Sequence, residues 1–214
     1  MPLTEQLSRL AAGLAVSIQL TVISVVCGFA LGLVFALITA SPNRIVRWCA
    51  VLVVEIGRGI PALVVLYLVY FGMPSIHVLL DSFPAAAVAL TLTVSAYSSE
   101  MIRGGISSVP RGQWEASSAL GMRRSTILFR IVLPQALKSA TPALMNLAVQ
   151  SFQATSLAYA ISVTELMSQG YQITMVTFEY MRTYALTGLV YALIAVPAIW
   201  LSRGVERRLM RGSA

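Results

Sequence analysis

Charge is scarce in this sequence. Only 11% of its 214 residues are Asp, Glu, Lys or Arg, against about 25% in an average soluble domain, while 57% are hydrophobic. That balance excludes a water-soluble globular fold and points to a surface that faces lipid. Lysine, histidine and aspartate occur once each, as Lys138, His77 and Asp81. A single His excludes an HExxH zinc site, and no ligand set for a metal is present. The lone Lys, in the context ALKSA, cannot belong to GxxxxGK[ST], so the chain has no phosphate-binding loop and is not expected to hydrolyse ATP. No base or second carboxylate is paired for intramembrane proteolysis, so no catalytic residue is assigned. The two cysteines, Cys27 and Cys49, make no disulfide framework and read as small apolar packing residues. Linkers, low-complexity tracts, an internal repeat and a cleavable signal layout are all missing, which leaves one membrane domain over residues 1–214.

What is present is a series of apolar runs. Five fall at about 14–38, 48–71, 83–102, 141–163 and 184–201. The first, at 1.5 Å per residue, reaches roughly 37 Å, beyond the ~30 Å hydrocarbon core. These runs predict an all-α polytopic membrane protein with five spans. The net charge is +7, and apart from Arg58 every basic residue lies outside these runs. With the N-terminus outside, the inner segments hold Arg44, Arg47, Arg103, Arg111, Arg123, Arg124, Arg130, Lys138, Arg203, Arg207, Arg208 and Arg211, and the outer ones only Arg9 and Arg182. The positive-inside rule therefore puts the N-terminus out and the C-terminus in the cytoplasm. It also accounts for the basic balance without nucleic acid.

Helical spacing locates polar faces. Ser17, Thr21, Ser24, Gly28 and Gly32 form one stripe of small residues ending in a GxxxG pair, open to helix packing, dimer contact or pathway lining. Thr91, Ser95 and Ser98 or Ser99 form a similar stripe leading to Glu100. In the fourth run Asn146, Gln150 and Gln153 share a face, followed by Thr155 and Ser156. Amides at membrane depth are costly unless satisfied, so this face looks toward a polar pathway or toward hydrogen-bonding helices. Glu55 and Arg58, three apart, can pair, either as a structural ion set with Glu100 or as substrate contacts. Pro61 has no N–H for the carbonyl of Gly57, so GRGIP is expected to kink or unwind. The inner segment at about 103–139 has room for two short helices broken at Gly121. Pro134 is expected to stop one element and Pro142 to sit in the first turn of the fourth span.

That inner segment reads GQWEASSALGMRRSTILFRIVLPQ. Its Glu115, Ala116, Ser117, Gly121, Val132, Leu133 and Pro134 resemble the signature loop of the membrane subunits of ABC-type importers, with Ser117 at the usual second Ala. EIGRGIPALV (55–64), AYSSEMIRGGISSVPRGQWEA (96–116) and TSLAYAISVTEL (155–166) are similar to segments of the polar amino acid uptake subfamily, which has the type I importer fold. The resemblance implies a permease subunit for a polar amino acid or similar small solute. Its partners would be two ATP-binding subunits, a second permease subunit (identical or homologous) and an extracytoplasmic solute-binding protein, all at the inner membrane of a prokaryote. ATP and Mg would bind the partner ATPase, leaving no cofactor in this chain. The loop, with Met122, would act as a coupling helix. Glu115 would set the dock or cap its own helix, and Gly121 would let the short helices pack closely on the partner. The subfamily's Lys-Asp pair before Thr-Ser-Leu is here Gln153-Ala154, which opens the substrate class to an unusual amino acid or another zwitterion. A stand-alone secondary transporter is the alternative, although five spans without a repeat suit it poorly.

Overall fold

A computed structural model describes residues 1–41 and 43–211, and all of those side chains except Arg208, Met210 and Arg211. Arg208 and Arg211, which belong to the charge count above, therefore have side chains outside the described ones. Among the described residues there is no strand. The helices are α1 (Leu3–Thr39), α2 (Arg44–Gly59), α3 (Ala62–Tyr67), α4 (Ser82–Ser108), α5 (Arg111–Ala119), α6 (Arg124–Ile127), α7 (Leu133–Ala154), α8 (Leu166–Thr177) and α9 (Tyr180–Arg211).

α1, α4 and α9 are each long and apolar enough to cross a membrane, and α2 with α3 and its extension to Ile76 is apolar enough as a bent pair, in the manner of a broken span or a re-entrant loop. α4 is the hub, packed against α1, α2, α3 and α7. Two-thirds of its most apolar window is buried, whereas most of α1 and α9 faces outward. Such outward apolar surface is what a lipid solvent permits. Cys27 and Cys49 are both exposed, so they are not packing residues within the chain; they join that outward face.

The small-residue stripe of α1 is a packing surface inside the chain. A Cβ on Gly28 would meet Val94 at 2.6 Å, and one on Gly32 would meet Ser98 Oγ at 2.0 Å. Ser98 Oγ donates to the Gly28 carbonyl at 3.2 Å, tying α4 to α1 where the backbones come closest. One turn-pair earlier, Ser24 and Ser151 hydroxyls meet at 3.1 Å, which adds α7 to the same stripe.

The expected break at GRGIP is present and large: α2 and α3 meet at 102°. Pro61 pushes Ile60 into the extended region (φ −87°, ψ 128°) and itself caps α3. The freed Arg58 carbonyl is not orphaned, because the Tyr97 hydroxyl donates to it at 3.1 Å from α4.

Neither Pro134 nor Pro142 has its expected role. Pro134 lies in the first turn of α7, and Pro142 lies inside that helix. The reason is a wide turn over Leu128–Val132, which joins α6 to α7. Widening the ladder there makes room for the Pro134 ring beside the carbonyl four residues back, so the helix continues instead of stopping. α7 accordingly starts at Leu133 rather than near 141, ends at Ala154, and runs into a tight turn over Thr155–Ile161.

Candidate functional site

The segment that the sequence reading assigns to coupling starts where α4 ends. Pro110 caps α5, and a separate small core of Val109, Ile127, Val132 and Ala136, with Trp114 and Met122 against it, holds α5, α6 and the start of α7 together. Ser117 is buried and donates its hydroxyl to the Gln113 carbonyl at 2.6 Å, so Ser serves as well as Ala there. Leu133 is buried and Pro134 exposed. Glu115 and Ala116 are exposed, and the Glu115 carboxylate forms no hydrogen bond or ion pair among the described residues. Its carboxylate therefore does not cap α5. Leu120, 81% exposed, stands beside the same turn.

Gly121 closes α5. Its φ is +73°, the Gly121 N–H donates to the Ser118 carbonyl at 3.0 Å, and the Met122 N–H donates to the Ser117 carbonyl at 3.2 Å. This is the paired bonding of a left-handed helix terminus, for which Gly is the suited residue. A Cβ on Gly121 would meet nothing within 4 Å. Inside this chain the glycine is thus required by its backbone conformation. Gly121→Ala is expected to cost about 1–2 kcal/mol through that conformation alone, read as a lowered melting temperature of the purified protein.

Where α2 and α4 approach, four charges line up. Arg58 Nη1 donates to Glu55 Oε1 at 3.2 Å and lies 3.9 Å from Glu100 Oε2, while Arg103 donates to both oxygens of Glu100. Gly57 permits this approach, since a Cβ there would lie 3.0 Å from Ala96 Cβ. A cavity of about 240 Å³ beside them is lined by Thr39, Arg47, Glu55, Ser99, Glu100 and Arg103. Buried Arg58 Nε has no partner. Toward the start of α4, about 27 Å away along the helix, a second cavity of about 490 Å³ is lined by Gln19, Tyr70, Asp81, Ser82, Ser162 and Thr164, among others.

On α7, Asn146, Gln150 and Gln153 are all exposed on one face, and none of the three side-chain amides has a partner among the described residues. Ser156 is half-buried and donates to the Gln153 carbonyl at 2.8 Å. Thr155 is separate from this face. It is fully buried and donates to the Phe152 carbonyl at 2.7 Å.

One residue escaped the sequence reading. Glu165 is fully buried and is the N-cap of α8. It accepts from the N–H groups of Met167 (2.8 Å) and Ser168 (2.7 Å), from the Tyr191 hydroxyl of α9 (2.9 Å) and from the Ser17 hydroxyl of α1 (3.3 Å). Ser17 Oγ in turn accepts from the Leu166 N–H at 3.2 Å. Burial raises the Glu165 pKa, and each of the four hydrogen bonds lowers it. The available signal was an acidic residue directly ahead of an apolar segment, but its partner Ser17 lies 148 residues away.

The sequence model for binding-protein-dependent transport system inner membrane components matches residues 10–211. The chain belongs to this family. Similar relatives are the L-cystine transport system permease protein TcyB of Bacillus subtilis (37% identical, covering 94% of this chain and 87% of TcyB) and the arginine transport system permease protein ArtQ of the same organism (33%, covering 95% and 94%). Among solved structures, an amino acid ABC transporter crystallised with histidines is 31% identical with a TM-score of 0.90, covering 96% of both chains. The MetNI methionine ABC transporter, 22% identical with a TM-score of 0.77, shares the fold. The chain is an importer permease rather than a stand-alone secondary transporter.

Proposed function

We propose that this permease moves a polar amino acid or a related small zwitterion across the inner membrane of a prokaryote, taking cargo from an extracytoplasmic binding protein and driven by two ATP-binding subunits. The whole chain, 1–214, acts as one membrane domain. Five crossings with the N-terminus outside are proposed, with α7 as the fifth, polar crossing beside the four apolar units. The exposed, unpartnered amides of Asn146, Gln150 and Gln153 carry the pathway reading, because such groups at membrane depth need water, solute or a partner subunit. Five crossings are few to enclose a path, so a second permease subunit, identical or homologous, completes it. Glu55, Arg58 and Glu100 sit near the cytoplasmic end of this path as a structural ion set holding the α2–α3 bend against α4. Glutamine and alanine at 153–154 supply no fixed charge, which suits a cargo recognised by hydrogen bonds rather than by a salt bridge at that point. The relatives' names support the amino acid class.

Coupling is assigned to 103–139, with Glu115, Ala116, Ser117, Gly121, Met122, Leu133 and Pro134 as its working residues. ATP and Mg bind the partner and not this chain. The free carboxylate of Glu115 beside exposed Leu120 is the observation that supports a docking surface there. The test is affinity purification of the tagged chain from its native membrane in mild detergent, beside Glu115→Arg. Recovery of an ATPase with a phosphate loop, lost in large part in the variant, is the expected result. Recovery of this chain alone, even after cross-linking, would remove the coupling assignment; equal recovery with both forms would remove Glu115 from it.

A further inference from the structure

The cavity of about 240 Å³ beside the charges of α2 and α4 holds polar groups that those ion pairs leave unused. α2 lines it with Arg47, Val51, Val54 and Glu55, a spacing that keeps to one helix face. Arg47 and Glu55 are roughly 12 Å apart along the helix axis, and they form no ion pair with each other. From α4, Ser99, Glu100 and Arg103 complete the wall. The volume falls below the roughly 300–1,000 Å³ of pockets for drug-sized ligands, so only a small solute fits.

Three groups in this lining are unfilled. Arg47 is half-buried, and its guanidinium has no hydrogen bond or ion pair among the described residues. Glu55 gives Arg58 only its Oε1, so Oε2 has no partner among the described residues. Ser99 is 1% exposed, and its hydroxyl makes no hydrogen bond among the described residues. Buried hydroxyls are as a rule paired, which leaves the cavity as the place for this one's partner. Glu100, by contrast, has both oxygens taken by Arg103. A lone anion in the cavity would meet the free Glu55 oxygen, and a lone cation would meet the Arg47 guanidinium. A zwitterion answers both, with its carboxylate to Arg47 and Ser99 and its ammonium to Glu55. A guanidinium can take a carboxylate by two parallel bonds, and Val51 and Val54 leave an apolar wall for a short side chain.

We propose that this cavity binds a small α-amino acid as its zwitterion, at a place apart from the amide face of α7, none of whose residues lines it. The side it faces, cytoplasmic, rests on the orientation proposed above; the ligand class rests on the lining. L-alanine is titrated against the purified transporter complex in detergent, without binding protein, and binding is read by saturation-transfer NMR. Saturable binding is expected, with acetate and methylammonium, each one half of the zwitterion, about tenfold weaker or more. Arg47→Gln removes a bond to a charged group and is expected to weaken L-alanine binding about tenfold or more; Ser99→Ala is expected to weaken it about two- to tenfold. Neither substitution breaks a side-chain bond among the described residues, so both variants are expected to assemble. The binding lost in Arg47→Gln is expected to persist in Gln150→Ala, which disturbs the amide face instead. No saturable binding of L-alanine overturns the proposal, as does acetate binding equally tightly or an affinity unchanged in both cavity variants. Binding lost in Gln150→Ala but kept in Arg47→Gln moves the amino acid to α7, which sinks this site and leaves the proposed pathway standing.

Discussion

Glu165→Ala is expected to yield little or no folded permease. The substitution leaves two backbone N–H groups, the Tyr191 hydroxyl and the Ser17 hydroxyl without their acceptor in a fully buried place. Each abandoned buried donor costs about 1–3 kcal/mol, and loss of a helix cap typically ~1 kcal/mol. Even with relaxation, the total is on the order of 3 kcal/mol or more, a large part of what holds a domain of this size together. The N-terminal helix α1 and the late helices α8 and α9 meet at this one side chain, so its loss loosens all three contacts rather than a single turn. Gly13 shows how tight that junction is, since a Cβ there would lie 2.9 Å from the Glu165 carbonyl oxygen and from Leu166 Cα. Tyr191→Phe, which removes only one of the four bonds, is expected to lower the melting temperature measurably while leaving a folded protein. Fluorescence-detected size exclusion of both variants after membrane extraction separates the two levels. A monodisperse Glu165→Ala protein at wild-type yield would show that the clamp is dispensable.

Local chemistry made some of this architecture legible in the sequence. Pro61 with its flanking glycines announced a break, and a 102° bend is there, because a missing N–H is a local fact. The pairing of Glu55 with Arg58 followed equally from a three-residue spacing. The break at Gly121 between two short helices was legible too, and α5 closes there on a left-handed backbone. What stayed hidden depends on neighbours. Pro134 and Pro142 could not be assigned their places without the wide turn ahead of α7, since either position tolerates a proline if the ladder adapts. Nothing local to Glu165 announced a buried clamp, because its partners Ser17 and Tyr191 come from opposite ends of the chain. The inward stripe of α1 was read correctly as a face, but only the packing of Val94 and Ser98 on Gly28 and Gly32 selects helix packing from its alternatives. Apolar periodicity carries no comparable sign for the cysteines, as a lipid-facing and a core-facing position are equally apolar in a membrane protein.

Gly105 is where packing and coupling meet, and Gly105→Ala and Gly104→Ala are expected to act with opposite signs. A Cβ on Gly105 would lie 2.4 Å from the Ala136 carbonyl oxygen and 3.1 Å from its carbon, both backbone atoms that no rotamer change can move. Relief requires α4 and α7 to part by something near 1 Å, and overpacking of this kind costs typically 1–3 kcal/mol. Gly104, its exposed neighbour, has nothing within 4 Å of that position, so alanine there only improves helix propensity, by roughly 0.5–1 kcal/mol. The contact broken at Gly105 is the one that seats Ala136 in the small core beneath α5 and α6, and the Ser108–Ser139 hydroxyl pair at 3.1 Å lies one turn further on. If the proposed coupling holds, motion delivered to α5 would reach α4 and α7 through this seat, since α5 itself touches little else. Gly105→Ala is therefore expected to weaken transport more than its stability loss alone explains: uptake in reconstituted vesicles falls well below wild type at a temperature where the variant remains folded, while ATP hydrolysis by the partner continues. Uptake per folded complex equal to wild type would instead confine the effect of Gly105 to packing.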